Sequence, residues 1–175
     1  LWDFGHNPTC IITQVTPMGG WHILEALVGD GIGVEELINE AVKPLLNAKY
    51  RGHPLRHIGD PAGKQREQTS INRSAVLSLR NALGGTWRSG PVRLEERIEP
   101  LRAVLSRASV VKVDRVKAAA VWHALRGGWN FHISRGGITA SEPIKNMHSH
   151  PGDAMGYGAA VLFPLGRVMR KGAPV

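Results

Sequence analysis

Three apolar, β-branched runs fill the first 27 residues, and only short turn segments separate them. Leu1–Phe4 ends at Gly5, and the turn residues His6-Asn7-Pro8 come next. Cys10–Thr16 is rich in Ile, Thr and Val, and Pro17-Met18-Gly19-Gly20 leads into Trp21–Leu27. Strands joined this closely pair antiparallel, because a parallel crossover needs roughly a dozen residues or more. Beyond Leu27 the chain alternates between helix and strand. Val34, Leu37, Ile38, Ala41, Val42 and Leu45 recur with the helical period, and Glu35 and Glu36 sit where the helix dipole favours anions. Pro44 is expected to kink or end this helix. A short strand over 54–59 precedes Asp60 and a polar loop over 61–69. Ser70 is the expected cap of a helix bearing Ala75, Val76, Leu79 and Leu83. Leu94, Ile98, Leu101 and Leu105 mark another helix, interrupted at Pro100. Val110–Val113 reads as a strand, and Asp114 as the cap of a helix reaching Leu125 and closed by Gly127-Gly128. Trp129, Phe131 and Ile133 alternate like a half-buried strand. Asp153 is expected to open a last helix. A meander succeeded by alternating helices and strands predicts an α/β fold, one mixed sheet flanked by helices.

At 175 residues the chain suits a single domain with its own core. No apolar run approaches the roughly 18 residues of a membrane span, and no membrane partner is expected. The lone cysteine, Cys10, excludes an internal disulfide and a cysteine-rich zinc site, and reads as inert core. Charge is unevenly placed. The net charge is +8, yet residues 1–42 hold six acids and no Lys or Arg, so all 22 basic residues lie beyond them. Such a field attracts a polyanion, nucleic acid foremost, with a merely basic surface as the bland alternative.

Three aspartates share a glycine-flanked setting: Asp3-Phe4-Gly5, Gly59-Asp60-Pro61 and Gly152-Asp153. Asp3 is the unusual one, since a carboxylate between Trp2 and Phe4 is costly to desolvate unpaired. Converging carboxylates offset that cost by binding hard divalent cations such as Mg²⁺ or Mn²⁺. Two such ions, about 3.5–4 Å apart, activate water against a phosphodiester. Taken singly, Asp60 suits a turn cap and Asp153 a helix cap, so the constellation carries the argument. His148-Ser149-His150 is the densest histidine cluster, but without cysteines or a His-x-x-x-His pair it makes no zinc site. His150, three residues before Asp153, is a secondary ligand candidate. Gly63-Lys64 lacks the other residues of a phosphate-binding loop. Lys64, Arg66 and Arg73 come after Asp60, while Arg135 and Lys145 precede Asp153. If the aspartates converge, these cations flank them where a DNA backbone would lie.

Four ordered elements carry a resemblance. They are Trp2-Asp3-Phe4-Gly5-His6-Asn7-Pro8, Gly59-Asp60-Pro61-Ala62-Gly63, Arg97-Ile98-Glu99, and the run from Lys145 to Tyr157 with its His-Ser-His-x-x-Asp-Ala-x-x-Tyr pattern. Together they resemble the nuclease domain of the large terminase subunit of tailed bacteriophages. The resemblance implies a ribonuclease H-like fold over residues 1–166, with antiparallel meander, parallel strands and helices on both faces, and a basic carboxy-terminal tail over 167–175. It implies a metal-dependent endonuclease that cuts double-stranded concatemeric DNA, with little sequence preference, at the start and end of packaging. Asp3, Asp60 and Asp153 become the ligands of two Mg²⁺ or Mn²⁺ ions. An amino-terminal ATPase motor in cis, upstream of this piece, is expected with it. So are contacts with a portal protein and a small terminase subunit, in the host-cell cytoplasm and transiently at the procapsid portal. A Holliday-junction resolvase-type nuclease and a non-catalytic DNA-binding or assembly module are the other readings. The loop over 84–91 and the tail match nothing in that family.

Overall fold

The opening meander forms as its turns require. β1 (Trp2–Asp3), β2 (Thr9–Val15) and β3 (Trp21–Val28) pair antiparallel, with Trp2 opposite Cys10 and Val15 opposite Trp21. Parallel strands extend the sheet on both sides: β4 (Arg56–Gly59) beside β1, β5 (Thr86–Ser89) beside β4, and β6 (Val111–Val113) beside β3. The order β5-β4-β1-β2-β3-β6 is a mixed, ribonuclease H-like sheet, as expected. The computed structural model describes residues 1–64 and 74–166. Ser70 and the tail over 167–175 therefore lie outside the described residues.

Pleating sends alternate residues to opposite faces, and each face has its own core. Leu1, Ile11, Trp21, Ile23 and Ile58 pack with α4 (Leu94–Leu105), α5 (Ala119–His123) and α6 (Ser149–Leu162). Trp2 and Cys10 pack on the other face with α1 (Val34–Leu37), α2 (Lys43–Lys49) and α3 (Ala75–Leu83). Cys10 is buried there, and burial pushes its thiol up to about 11. A bulge shifts the β2–β3 register, with Ile12 opposite Glu25 and Thr13 opposite Ile23, so Leu24 is the extra residue. Beyond it the phase of β3 reverses. Glu25 now faces α2, where Lys49 Nζ at 2.8 Å and Tyr50 Oη at 3.3 Å donate to it.

Several elements differ from the sequence expectations. Pro44 does not end its helix: a π-helical turn over Ile38–Val42 precedes α2, and this wider turn accommodates a residue with no N–H. Pro100 likewise lies inside a continuous α4, whose buried Ile98, Leu101 and Val104 hold it to the core. The cap of α3 is Ser74, whose Oγ accepts from the Leu77 N–H at 3.2 Å. Residues Pro61–Lys64 form a 3₁₀ turn rather than loop. Asp114 accepts from the Val116 and Lys117 N–H groups, but α5 begins only at Ala119. Its end is a π-helical turn, Ala124–Gly128, in which Gly127 takes φ +111°. The loop over 84–91 contains β5. The expected half-buried strand is β7 (Phe131–Ile133), which among the described residues pairs only with β8 (Thr139–Pro143) in a separate, largely exposed hairpin. Finally, α6 starts at Ser149, so Asp153 lies in its second turn; Pro151 is tolerated in the first, where its missing N–H has no helical partner to lose.

Candidate active site

Register brings the first two aspartates together. Trp2 pairs with Gly59, and the Asp60 N–H donates to the Trp2 carbonyl at 3.2 Å. Asp3 and Asp60 therefore succeed matched residues at the carboxyl ends of neighbouring parallel strands. Trp2 faces the α1–α3 side, so the pleat turns Asp3 the other way, under α6. Glycine is required at 59, because a Cβ there would overlap the Trp2 carbonyl oxygen.

The entry to α6 is fixed by the buried Ser149. Its hydroxyl accepts from the Asn146 N–H at 2.8 Å and donates to the Ile144 carbonyl at 3.0 Å, while Asn146 Oδ1 accepts from the His148 N–H. His150, Asp153 and Tyr157 then fall at i, i+3 and i+7, on one side of the helix. His150 Nδ1 lies 2.7 Å from Asp3 Oδ1. Its ring occupies the space above Gly5, where any Cβ would overlap it. From α4, Arg97 Nη1 donates to Asp153 Oδ1 at 3.0 Å, and its guanidinium carbon lies 4.6 Å from the Tyr157 ring centroid.

The three carboxylates are held alike. Asp3 Oδ1 accepts from the Gly5 N–H at 3.1 Å and meets His150; Asp60 Oδ1 accepts from the Ala62 N–H at 2.8 Å; Asp153 Oδ1 accepts from Arg97. Among the described residues, no protein group donates to the second oxygen of any of them. Each carboxylate is thus oriented by one oxygen and keeps lone pairs on the other. Oxygen donors of this kind, with one imidazole beside them, fit Mg²⁺ or Mn²⁺ rather than a thiolate-type zinc site. Among the described residues, however, no three His, Cys, Asp or Glu side chains already stand within reach of one ion. His150 and Arg97 hold Asp3 and Asp153 instead.

Charge at this end of the sheet is finely opposed. Burial raises the Asp153 carboxyl, Arg97 pulls it back, and the negative Asp3 raises it further. The hydrogen bond to Asp3 raises His150, against the opposing effect of burial. Tyr157 is raised by burial, with Arg97 opposing, and feels the charges of Asp60, Asp3 and Asp153 together.

Of the expected cations, Lys64 is exposed at the end of the 3₁₀ turn just after Asp60. Lys145 is exposed and lowers both His150 and Asp153 through its charge. Arg135 is exposed in the β7–β8 turn, and among the described residues no hydrogen bond or ion pair joins it to the aspartates. Arg66 and Arg73 lie outside the described residues. Sequence reasoning assigned no role to Arg97 or Tyr157. A signal existed for both: Arg97 falls beside the apolar stripe of Leu94, Ile98 and Leu101, and Tyr157 lies one helical turn beyond Asp153. A cavity of 660 Å³ opens at the opposite end of the strands, between β2 and β4, and among the described residues no carboxylate lines it.

Sheet order and helices on both faces give a ribonuclease H-like fold, with acids at the ends of β1 and β4. No protein-family model matches the chain, and no curated protein does either. Among solved structures it is similar to the nuclease domain of g2p, the large terminase of bacteriophage SPP1, determined with bound Mn. The TM-score is 0.60, over 89% of this chain and 81% of that one, at 14% sequence identity. A likeness at that identity establishes the shared fold.

Proposed function

We propose that this chain is the metal-dependent endonuclease domain of a viral DNA-packaging terminase, cutting double-stranded DNA with little sequence preference. The observation that carries the proposal is the register that sets Asp3 and Asp60 just after matched residues of neighbouring strands, with α6 bringing His150 onto Asp3 and carrying Asp153 three residues further on. The shared fold with a Mn-bound terminase nuclease domain supports it. In this reading Asp3 would serve both of two ions, Asp60 and Asp153 would each complete one site, and His150 would be an accessory ligand. Bound there, two Mg²⁺ or Mn²⁺ ions would supply Lewis-acid activation of water and charge stabilisation at the leaving oxygen. The protein's own share is orientation. The Gly5 and Ala62 N–H groups hold Asp3 and Asp60 by one oxygen, and Ser149 sets the start of the helix that carries Asp153. Lys64, Lys145, Arg66, Arg73 and Arg135 bind phosphates without reading bases. In this reading an ATPase motor works in cis, and portal protein and small terminase subunit are partners in the host cytoplasm and at the procapsid portal.

Plasmid nicking and linearisation with Mn²⁺ or Mg²⁺ test the proposal. Cutting should stop with chelator and fall at least about 100-fold in Asp3→Asn, Asp60→Asn and Asp153→Asn variants that remain folded. Undiminished cutting by all three variants would refute it. Branched DNA cut much faster than linear duplex would point instead to a resolvase-type nuclease.

A further inference from the structure

We propose that Arg97 is the resident counter-cation of the acid cluster, holding Asp153 in place until a divalent cation takes over the balancing of charge. The inference rests on the metal-dependent reading of the site. Asp153 and Tyr157 stand four residues apart on one side of α6, and Arg97 reaches across from α4 to both. The carboxylate fixes one end of the guanidinium and the ring fixes its plane. Only 13% of the Arg97 side chain and 12% of the Asp153 side chain remain exposed, so water screens the pair weakly. Gly156 permits the approach of the helices: a Cβ there would lie 3.2 Å from Arg97 Cβ.

Two features separate this arginine from an ordinary structural one. Its Nε is buried and, among the described residues, has no hydrogen-bond partner, so the site accepts an orphaned donor in return for a charge at this position. The lysines near the acids are less suited to the task, since Lys64 and Lys145 are both exposed to water. Without metal, Asp3 and Asp153 repel each other, and Arg97, buried against Asp153, opposes this. Once a cation is bound, that contribution becomes smaller. Arg97 therefore stabilises the metal-free protein more than the metal-bound one, and linkage requires that its removal tighten metal binding.

Arg97 is a positioning residue on this account, and its signature is thermodynamic rather than catalytic. Thermal unfolding of the whole chain in EDTA and in excess Mn²⁺ tests it, together with Mn²⁺ titration monitored by the electron-spin resonance of the free ion. Arg97→Gln should lower Tm in EDTA by several degrees, recover most of the loss in Mn²⁺, and bind Mn²⁺ about fivefold or more tighter than wild type. Equal losses of Tm with and without Mn²⁺, or weaker Mn²⁺ binding, would overturn the inference. Should Arg97→Gln fail to fold even with Mn²⁺, Arg97→Lys decides: a Mn²⁺ affinity within about twofold of wild type supports a charge role, and weaker binding overturns it. Wild-type protein that binds no Mn²⁺ removes the metal-dependent reading itself. Wild-type binding without the Arg97 effect removes this inference alone.

Discussion

Asp3 illustrates how one side chain can be legible in a sequence while its surroundings are not. A carboxylate flanked by Trp2 and Phe4 has to be buried, and it is, at 6% exposure. That His150, 147 residues away, supplies its partner is evident only once α6 crosses β1. Arg97 is harder still, since nothing near position 97 states which acid it meets. Two histidines give opposite pH behaviour. Burial lowers His57 from 6.5 to about 4; its Nδ1 accepts from the Trp2 indole N–H and its Nε2 lies 3.0 Å from the Gly84 carbonyl, so it is neutral when folded. Between those two values the unfolded chain binds more protons, so stability falls as pH drops from 6.5 toward 4. The loss should be about 1–3 kcal/mol, and urea unfolding at pH 7 and 4.5 checks it, with His57→Gln removing most of the difference. His150 is raised instead, by its bond to Asp3. Its protonated form is favoured in the folded protein, so this contribution is complete below pH 6.5 and is lost as pH rises through the elevated folded value. Deprotonation also frees Asp3 for a cation. Mn²⁺ affinity should therefore climb through that range in calorimetric titrations, and His150→Gln should flatten the climb.

Elements with a strong internal period were readable, and those whose stability comes from neighbours were not. The β1–β3 meander and the stripes of α3, α4 and α6 arise from apolar spacing. β5 does not: Thr-Trp-Arg-Ser shows no clear apolar alternation, and its strand exists because β4 offers an edge from Arg56 to Gly59. The helices continue through Pro44 and Pro100 because packing on the core outweighs one missing hydrogen bond each. Gly59 is where element geometry reaches the site. A methyl group there meets backbone, not a movable side chain, so β4 has to shift away from β1. Gly59→Ala should cost about 1–3 kcal/mol by overpacking. Because the shift moves Asp60 relative to Asp3, it should also weaken Mn²⁺ binding more than an equally destabilising substitution distant from the site. Denaturant unfolding paired with Mn²⁺ titration separates the two effects, and intact Mn²⁺ affinity would show that the spacing of these strands is not what sets the site.

At the scale of the whole molecule, the proposed function raises the question of how a chain with acids at one end of its sheet would approach a polyanion. Net charge is +8, and every basic residue lies beyond the meander that supplies Asp3. Repulsion from the three aspartates is local and partly offset by Arg97 and His150, whereas exposed cations such as Lys64 and Lys145 border the same end of the sheet. Phosphate contacts of this kind release condensed counterions, so affinity should fall steeply with salt and vary little with base sequence. Each neutralised contact should reduce the slope of log affinity against log salt by about 0.9 for duplex DNA. Fluorescence anisotropy in Ca²⁺ or EDTA measures binding without cutting. Lys64→Gln combined with Lys145→Gln should lower the slope by about 2, with the same loss on unrelated duplex sequences. An unchanged slope would place the DNA on another face, and a loss confined to one sequence would mean that these lysines contact bases rather than phosphates.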